Sequence, residues 1–400
     1  MRVAIVAGPD AGHAFPAFAL AERFATGGDA PTVFTGLRWQ DAARRRQVDI
    51  TELPGLAVAE NDDDADAGEK LSARAARMAV ALRPLIDSGD HDLVISDVIT
   101  VAGGWAAQMC GLPWIELSPH PLYLPSKGLP PVGSGLAAGT GVRGRLRDSA
   151  MRALSATSVR QGERQRESAR ATVGLTGAGS CPDARFVATL PGLEVYRPDW
   201  PARTHLIGPL LWEPTDESFD APRGPGPLVI VAPSTAVTGA QDMVTATLRG
   251  LSELKSPVRV VVSSLDPPDV VTGHPNMTVV SGLGRQDEIL ADADLAVCGA
   301  GHGMLAKALL AGVPVVTVPG GGDQWELANR VNRLGAGRLV RPVTADAITD
   351  AARTILADPG FTDAARRIGA SNADVVDPVA VARHVVAIAA GRERRVGPCA

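Results

Sequence analysis

The sequence has few cysteines and no long hydrophobic segment. The four cysteines among its 400 residues lie far apart and lack the spacing of metal ligands, which favours reduced thiols and a cytoplasmic location. No run approaches the roughly 20 apolar residues that a membrane span requires. The first residues, MRVAIVAG, lead directly into a strand pattern, so we expect no signal peptide.

The sequence also has no excess of positive charge. Lys and Arg number 39 against 44 Asp and Glu, which gives a formal net charge of −5. This balance argues against general nucleic-acid binding, because a phosphate backbone is recognised by a basic surface. Hydrophobic residues make up 45% of the chain, and 400 residues are enough for two domains with separate cores.

The first half of the chain alternates short apolar runs with helical patterns. This alternation predicts a parallel sheet covered on both faces, because parallel strands are joined by crossover helices. The predicted strands are VAIVAG (3–8), PTVFTG (31–36), DLVISD (92–97) and PWIELS (113–118), with helices at 17–25 and 102–111. The acidic stretch ENDDDADAGE (60–69) is predicted to be a solvated surface loop.

A segment rich in proline, glycine and acidic residues, EPTDESFDAPRGPGP (213–227), has the composition of a linker. After it the strand pattern restarts. The strands predicted there are LVIVAPS (228–234), VRVVVSS (258–264), MTVVSG (277–282), LAVCGAG (295–301) and VPVVTVPG (313–320). We therefore expect an α/β protein of two doubly wound domains, 1–212 and 228–375, with a ligand cleft between the carboxyl ends of their strands.

A histidine lies at the first strand-to-helix corner, within GPDAGHAFP (8–16). The loop does not fit G-x-G-x-x-G, so a dinucleotide site is not expected there. An imidazole has an ordinary pKa of about 6.5 and accepts a proton at neutral pH, which makes His13 a candidate general base facing the cleft. A helix-capping or surface histidine is the alternative.

Asp97 ends the predicted strand DLVISD, at the carboxyl edge of the same sheet. A carboxylate beside a histidine fixes the tautomer of the ring and stabilises the imidazolium. Asp97 is therefore a candidate partner for His13, while an aspartate at this place also suits a helix N-cap.

Two glycine-rich turns between a strand and a helix follow in the second half. In VCGAGHGMLAKALLAGVP (297–314), the glycines let the backbone approach a ligand, and the helix N-terminus offers N–H groups to a diphosphate. In PGGGDQWELANRV (319–331), Asp323 and Gln324 supply acceptors and donors that suit the hydroxyls of a sugar. Glycines of ordinary tight turns, and Asp323 as a helix N-cap, are the alternatives.

These motifs, in this order, resemble the GT-B glycosyltransferases, in the family that includes UDP-glycosyltransferases and the macrolide-type and other antibiotic glycosyltransferases. The resemblance covers essentially the whole chain. The matching segments are GHAFP (12–16), DLVISD (92–97), HLIGPLL (205–211), VAPST (231–235) and the run from GLGRQDEILADADLAV (282–297) to GGGDQ (320–324).

The resemblance implies two Rossmann-like domains whose parallel sheets face a central cleft, with a helix in 376–400 crossing back to the N-terminal domain. It implies an acceptor site in the N-terminal domain and a donor site in the C-terminal domain. The implied reaction is inverting transfer of a sugar from a UDP- or dTDP-sugar to a hydroxyl of a small-molecule, natural-product-like acceptor. Family enzymes of this kind need no metal, because helix and loop donors offset the leaving charge, and no cofactor beyond the nucleotide-sugar co-substrate is implied.

The resemblance also implies roles for individual residues. His13 is the general base that deprotonates the acceptor hydroxyl, and Asp97 orients it. The implied donor-binding residues are Ser234, Thr235, Leu283, Gly301, His302, Gly303, Met304, Asp323 and Gln324.

The proline-rich segment PHPLYLPSKGLPP (119–131) is a candidate acceptor wall. Its residues His120, Tyr123 and Leu124 combine apolar surface with polar tips, which suits an apolar pocket. An ordered loop without a ligand role is the alternative.

Two positions depart from the family pattern. The histidine that commonly contacts the diphosphate is replaced by Gly299, and His302 can substitute for it only if its ring turns toward the phosphates. The position that often carries a ribose-binding glutamate is Lys307. Both changes bear on donor identity and on activity.

Other interpretations stay open. A nucleotide-sugar-binding protein without transferase activity is one alternative. A second is a transferase with a lipid-linked acceptor, since the turn at 298–301 is similar to that of the peptidoglycan N-acetylglucosaminyltransferase. The arginine-rich segment 143–170 suits an anionic acceptor, a membrane surface or a solvated helix face. We expect a monomer or a homodimer that binds no nucleic acid.

A nucleotide should stabilise the protein if the donor site exists. A ligand at 100 times its dissociation constant adds about 2.7 kcal/mol to the free energy of unfolding. A thermal-shift screen of nucleoside diphosphates and nucleotide sugars measures this effect. A melting temperature that no nucleotide changes would refute the donor site.

Overall fold

The chain folds into two halves, each built on one parallel sheet. The computed structural model describes residues 1–56, 67–176, 181–235, 239–240, 242–268 and 274–391. Most of the predicted acidic loop 60–69 lies outside these residues. Residues 67–69, however, open a helix rather than a loop, because Glu69 in its first turn interacts favourably with the helix dipole.

The N-terminal sheet has, within the described part of the chain, seven strands in the order β3-β2-β1-β4-β5-β6-β7. They are β1 (Arg2–Val6), β2 (Ala30–Thr35), β3 (Ile50–Glu52), β4 (Leu93–Asp97), β5 (Trp114–Ser118), β6 (Ala184–Val187) and β7 (Thr204–Leu206). The central strands coincide with the apolar runs, because a strand covered on both faces buries nearly every side chain. The short strands β3, β6 and β7 lack such runs and were not predicted.

The helices of this half are α1 (Ala11–Thr26), α2 (Gln40–Arg45), α3 (Ala67–Ser88), α4 (Ala102–Cys110) and α5 (Gly141–Thr172). The predicted helix at 17–25 begins earlier, at Ala11, so His13 belongs to the first turn of α1. The arginine-rich segment is helical as predicted and forms α5.

The C-terminal sheet has six strands among the residues described, in the order β10-β9-β8-β11-β12-β13. They are β8 (Leu228–Ala232), β9 (Val258–Ser263), β10 (Met277–Gly282), β11 (Leu295–Cys298), β12 (Val315–Thr317) and β13 (Gly337–Leu339). The helices are α6 (Met243–Ser252), α7 (Gln286–Asp292), α8 (His302–Leu310), α9 (Asp323–Arg333), α10 (Ala345–Ala357), α11 (Gly360–Ala370) and α12 (Pro378–Ala390). Within the part of the chain described, no helix is both long and apolar enough to span a bilayer.

The last helix, α12, packs on the N-terminal domain. Val379, Ala382 and Val385 lie in the same buried cluster as the apolar side chains of α1 and β1. Arg383 donates hydrogen bonds to the Gly27 carbonyl and to Asp29, at 2.6 and 3.0 Å. The chain therefore ends, in its described part, on the domain where it began, which ties the two halves together.

The strand order reverses once in each sheet. β1 pairs with β4 in the N-terminal sheet, and β8 pairs with β11 in the C-terminal sheet. Helices leave such a strand pair toward opposite faces, so a crevice opens at the carboxyl ends. One cleft of about 550 Å³ is lined by loops from both of these places.

Phe18 on α1 is completely buried and lies 4.9 Å, ring centre to ring centre, from Trp212. Phe18→Ala leaves a cavity and should lower the free energy of unfolding by about 3 to 5 kcal/mol, measured by urea denaturation. Leu154→Ala, at a side chain that is 83% exposed, is the control and should change it by less than about 0.5 kcal/mol. Equal effects of the two substitutions would contradict this packing.

Candidate active site

A histidine and an aspartate meet at the reversal point of the N-terminal sheet. His13 is the third residue of α1, the helix that follows β1. Asp97 is the last residue of β4, the strand that pairs with β1. His13 Nδ1 lies 2.9 Å from Asp97 Oδ1. Because a carboxylate only accepts, Nδ1 donates its proton, and Nε2 remains as the basic nitrogen of a ring that lines the cleft.

Asp97 is itself held in place. It is only 2% exposed, and its Oδ2 accepts a hydrogen bond from Thr100 Oγ1 at 3.2 Å. The Thr100 N–H also donates to the Asp97 carbonyl oxygen, at 3.0 Å. These contacts fix the carboxylate, and through it the orientation of the His13 ring.

Opposed effects act on the pKa of His13. Burial lowers the pKa, because it disfavours the charged imidazolium, whereas the hydrogen bond to Asp97 and the negative charge of that group raise it. The carboxylates of Asp10 and Asp323 raise it further. The net result is a pKa above the ordinary value of 6.5, so this site stabilises the imidazolium form of His13.

The opposite wall of the cleft is built on the loops that follow β8, β10, β11 and β12. All of the donor residues implied by the sequence line it. They are Ser234, Thr235, Leu283, Gly301, His302, Gly303, Met304, Asp323 and Gln324. The structure thus brings residues from four distant motifs into one cleft with His13.

The Gln324 side chain joins two of these loops. Its Nε2 donates to Ser234 Oγ at 2.7 Å, and its Oε1 accepts from the Gly320 N–H at 3.0 Å. The side chain is buried, whereas its neighbour Asp323 is exposed at the start of α9. Gln324 therefore fixes the relative position of the β8 and β12 loops, and Asp323 presents its carboxylate to the cleft.

The N-terminus of α8 points into the cleft. Its N-cap, Gly301, makes no side-chain capping bond, and Gly303 and Met304 of the first turn line the cavity. The turn before it explains one departure from the family pattern. A Cβ atom at Gly299 would lie 2.8 Å from Ser234 Cβ, so a histidine at 299 requires the β8 loop to move away.

The ring of His302 is bonded to the N-terminal domain. Its Nε2 lies 2.9 Å from Thr189 Oγ1, and burial lowers the pKa of His302 to about 3, so the ring is neutral at physiological pH. Although His302 lines the cleft, its ring nitrogen Nε2 contacts Thr189, and the ring does not carry a positive charge. Side chains tilt toward the N-terminus of their helix, and the packing of the two domains places Thr189 within reach of the His302 ring.

Lys307 forms an ion pair that the sequence did not suggest. Its Nζ lies 2.6 Å from Glu213 Oε1 and donates to Gln286 Oε1 at 3.0 Å. All three residues line the cleft. Glu213 was missed because the composition of segment 213–227 predicts a solvated linker, and no local pattern links a glutamate to a lysine 94 positions later.

Of the three residues predicted for the acceptor wall, one lines the cleft. His120 lines the cleft, and its Nδ1 donates to the Pro121 carbonyl at 2.8 Å. Tyr123 and Leu124 lie outside the lining. The Tyr123 ring stacks behind His120, with ring centres 4.6 Å apart, and the Leu124 carbonyl accepts from Arg197 at 2.8 Å.

The loop directly after the acceptor wall, at Ser134 and Gly135, is bonded to the C-terminal domain. Gly135 donates its N–H to Glu326 Oε2 at 2.9 Å, and Arg333 Nη1 donates to the Gly135 carbonyl at 2.6 Å. Trp325 Nε1 donates to the Ser134 carbonyl at 3.3 Å. The loop that follows the acceptor wall is thereby bonded to α9, the helix that begins with Asp323.

Asp97→Asn should lower the pKa of His13, because burial lowers that pKa and the substitution removes a negative charge that raises it. Titration of the histidine ring resonances by NMR measures the change. His302 is an internal control, since it should stay neutral in both proteins over the range in which His13 titrates. An unchanged pKa of His13 would contradict the coupling.

Comparison with known proteins shows which proteins this chain resembles. Residues 247–388 match the model described as Erythromycin biosynthesis protein CIII-like, C-terminal domain. The 4'-demethylrebeccamycin synthase of Lentzea aerocolonigenes is 27% identical over 313 residues, which are 74% of this chain and 73% of that protein.

Solved structures share the fold along nearly the whole chain. The glycotransferase of kitacinnamycin superposes with a TM-score of 0.76 over 96% of this chain and 98% of its own, at 20% identity. The spinosyn rhamnosyltransferase SpnG superposes with a TM-score of 0.69 over 96% of this chain and 100% of its own, at 18% identity. The predicted GT-B fold is confirmed, and the chain is similar in sequence and in structure to glycosyltransferases of the antibiotic type.

Proposed function

We propose that this glycosyltransferase moves a sugar from a UDP- or dTDP-sugar to a hydroxyl of a small-molecule, natural-product-like acceptor, with inversion at the anomeric carbon. The observation that carries the proposal is the hydrogen-bonded His13–Asp97 pair, which opens into the same cleft as the N-terminus of α8. SpnG, a structural relative, has been solved with thymidine diphosphate and with spinosyn aglycone.

His13 is the general base of the proposed reaction. Its Nε2 takes the proton of the acceptor hydroxyl, while Asp97 accepts the Nδ1 hydrogen bond and stabilises the imidazolium that forms. The acceptor oxygen bonds to the anomeric carbon as the bond from that carbon to the diphosphate oxygen breaks. Attack comes from the side of α1 and departure is toward α8, so the configuration inverts.

The leaving diphosphate is stabilised by the C-terminal domain. The positive end of the α8 dipole and the first N–H groups of that helix face the developing charge, together with the hydroxyls of Ser234 and Thr235. In this proposal these donors offset the charge without a metal ion. Asp323 accepts hydrogen bonds from the sugar hydroxyls, and the loop at Leu283 holds the base.

The acceptor lies against the N-terminal wall. Apolar residues of the N-terminal domain line the cleft together with His13 and His120. These apolar residues are Phe15, Pro16, Pro119, Leu210, Leu211 and Trp212. Such a lining favours a largely apolar aglycone, with His13 and His120 as its polar contacts.

His13→Ala should lower the rate of sugar transfer about 10²- to 10⁴-fold, because the base is lost. Nucleotide affinity should stay within about twofold, since His13 stands on the acceptor side. Chromatography of nucleoside diphosphate released from UDP- and dTDP-sugars, with and without a panel of aglycones, measures the rate.

The matched control is His384→Ala, which removes an exposed histidine of α12 away from the cleft and should leave the rate unchanged. Wild-type activity in His13→Ala would show that another group removes the proton. Absence of nucleotide release from the wild-type protein with every donor would favour the alternative of a nucleotide-sugar-binding protein.

A further inference from the structure

Glu213 is an unusual group for the start of a linker. It is only 7% exposed and lines the cleft. Its Oε1 forms an ion pair with Lys307 Nζ at 2.6 Å, whereas its buried Oε2 has no hydrogen-bond partner among the residues described. Burying an acceptor in this state is costly, so the site calls for a ligand that supplies hydrogen-bond donors.

Given the proposed function, the position of Glu213 along the cleft indicates which part of the nucleotide it contacts. Lys307 lies four residues after Gly303, about one turn or roughly 6 Å along α8 from the proposed diphosphate site. Gln286, which accepts from Lys307, opens α7 three residues after Leu283, where the base is proposed to bind. In a nucleoside diphosphate, the group between base and diphosphate is the pentose, whose hydroxyls donate hydrogen bonds.

We propose that Glu213 binds a hydroxyl of the nucleotide pentose, with Lys307 as the residue that positions it. The ammonium of Lys307 compensates the charge of the buried carboxylate, and Gln286 holds that ammonium from the other side. The unexpected lysine on α8 and the buried glutamate of the linker are then two halves of one arrangement. The linker thus contributes a binding residue to the donor site as well as connecting the domains.

Calorimetric titration with thymidine diphosphate, 3'-deoxythymidine diphosphate and inorganic pyrophosphate tests this assignment. The wild-type protein should bind thymidine diphosphate about tenfold more tightly than the 3'-deoxy compound, because one charge-assisted hydrogen bond is lost. Glu213→Gln should reduce that ratio to about threefold or less, since an amide is the weaker acceptor. Pyrophosphate, which has no pentose, should not bind more weakly to the variant.

A double substitution guards against loss of folding. Glu213→Leu with Lys307→Met replaces the buried ion pair by apolar side chains and leaves no unpaired ammonium. It should bind the two nucleotides with equal affinity. The matched control is Glu116→Gln, which breaks the ion pair with Arg185 outside the cleft lining and should keep the wild-type ratio.

The outcomes separate this inference from the proposed function. A wild-type protein that binds both nucleotides equally, or folded Glu213 variants that keep the tenfold ratio, would overturn the role of Glu213 alone. A wild-type protein that binds neither the thymidine compounds nor the matching uridine compounds would overturn the donor site itself. The 3'-hydroxyl is present in the pentose of both thymidine and uridine diphosphate. The affinity ratio therefore does not depend on which base the protein prefers.

Discussion

The candidate site depends on the carboxyl edges of two parallel sheets being held against each other. Each sheet by itself offers only a crevice where its strand order reverses. α12 packs on the N-terminal core, and side chains of α9 bond to the carbonyl and N–H of Gly135, in the loop after the acceptor wall. Two cleft residues add their own bridges, since His302 reaches Thr189 and Lys307 reaches Glu213. Every side chain assigned to sugar transfer relies on this arrangement.

The two crevices have similar backbones and different chemistry. The N-terminal crevice carries a basic nitrogen, because the first turn of α1 contains His13 and β4 ends in a buried carboxylate. Among the residues described, the C-terminal crevice carries no such pair. Its turn is glycine-rich, and the α8 N-cap makes no side-chain bond, which leaves the positive end of the helix to an anion. In the proposed reaction, the N-terminal wall therefore removes the proton and the C-terminal wall stabilises the leaving group.

Much of this fold was predictable because burial on both faces selects long apolar runs, as in β4 and β8. Three-residue strands such as β3 and β7 carry too few side chains for any pattern, and only pairing with a neighbour defines them. The motif residues reached the cleft, because each follows a strand whose carboxyl end lies there. Tyr123 and Leu124 did not, since an irregular segment has no periodicity from which the direction of a side chain follows.

The sequence by itself determined the two βαβ halves, the strand ends that carry His13 and Asp97, and the glycine-rich turns at 299 and 301. These are local properties of apolar runs and of the residues that interrupt them. Only the tertiary structure decided the partners of individual side chains. It turned His302 toward Thr189, made Gly299 a requirement of the nearby Ser234, and placed Glu213 beside Lys307. The physical reason is that such pairs join segments about a hundred residues apart, or neighbouring strand ends, and form only after the sheets and the linker have packed.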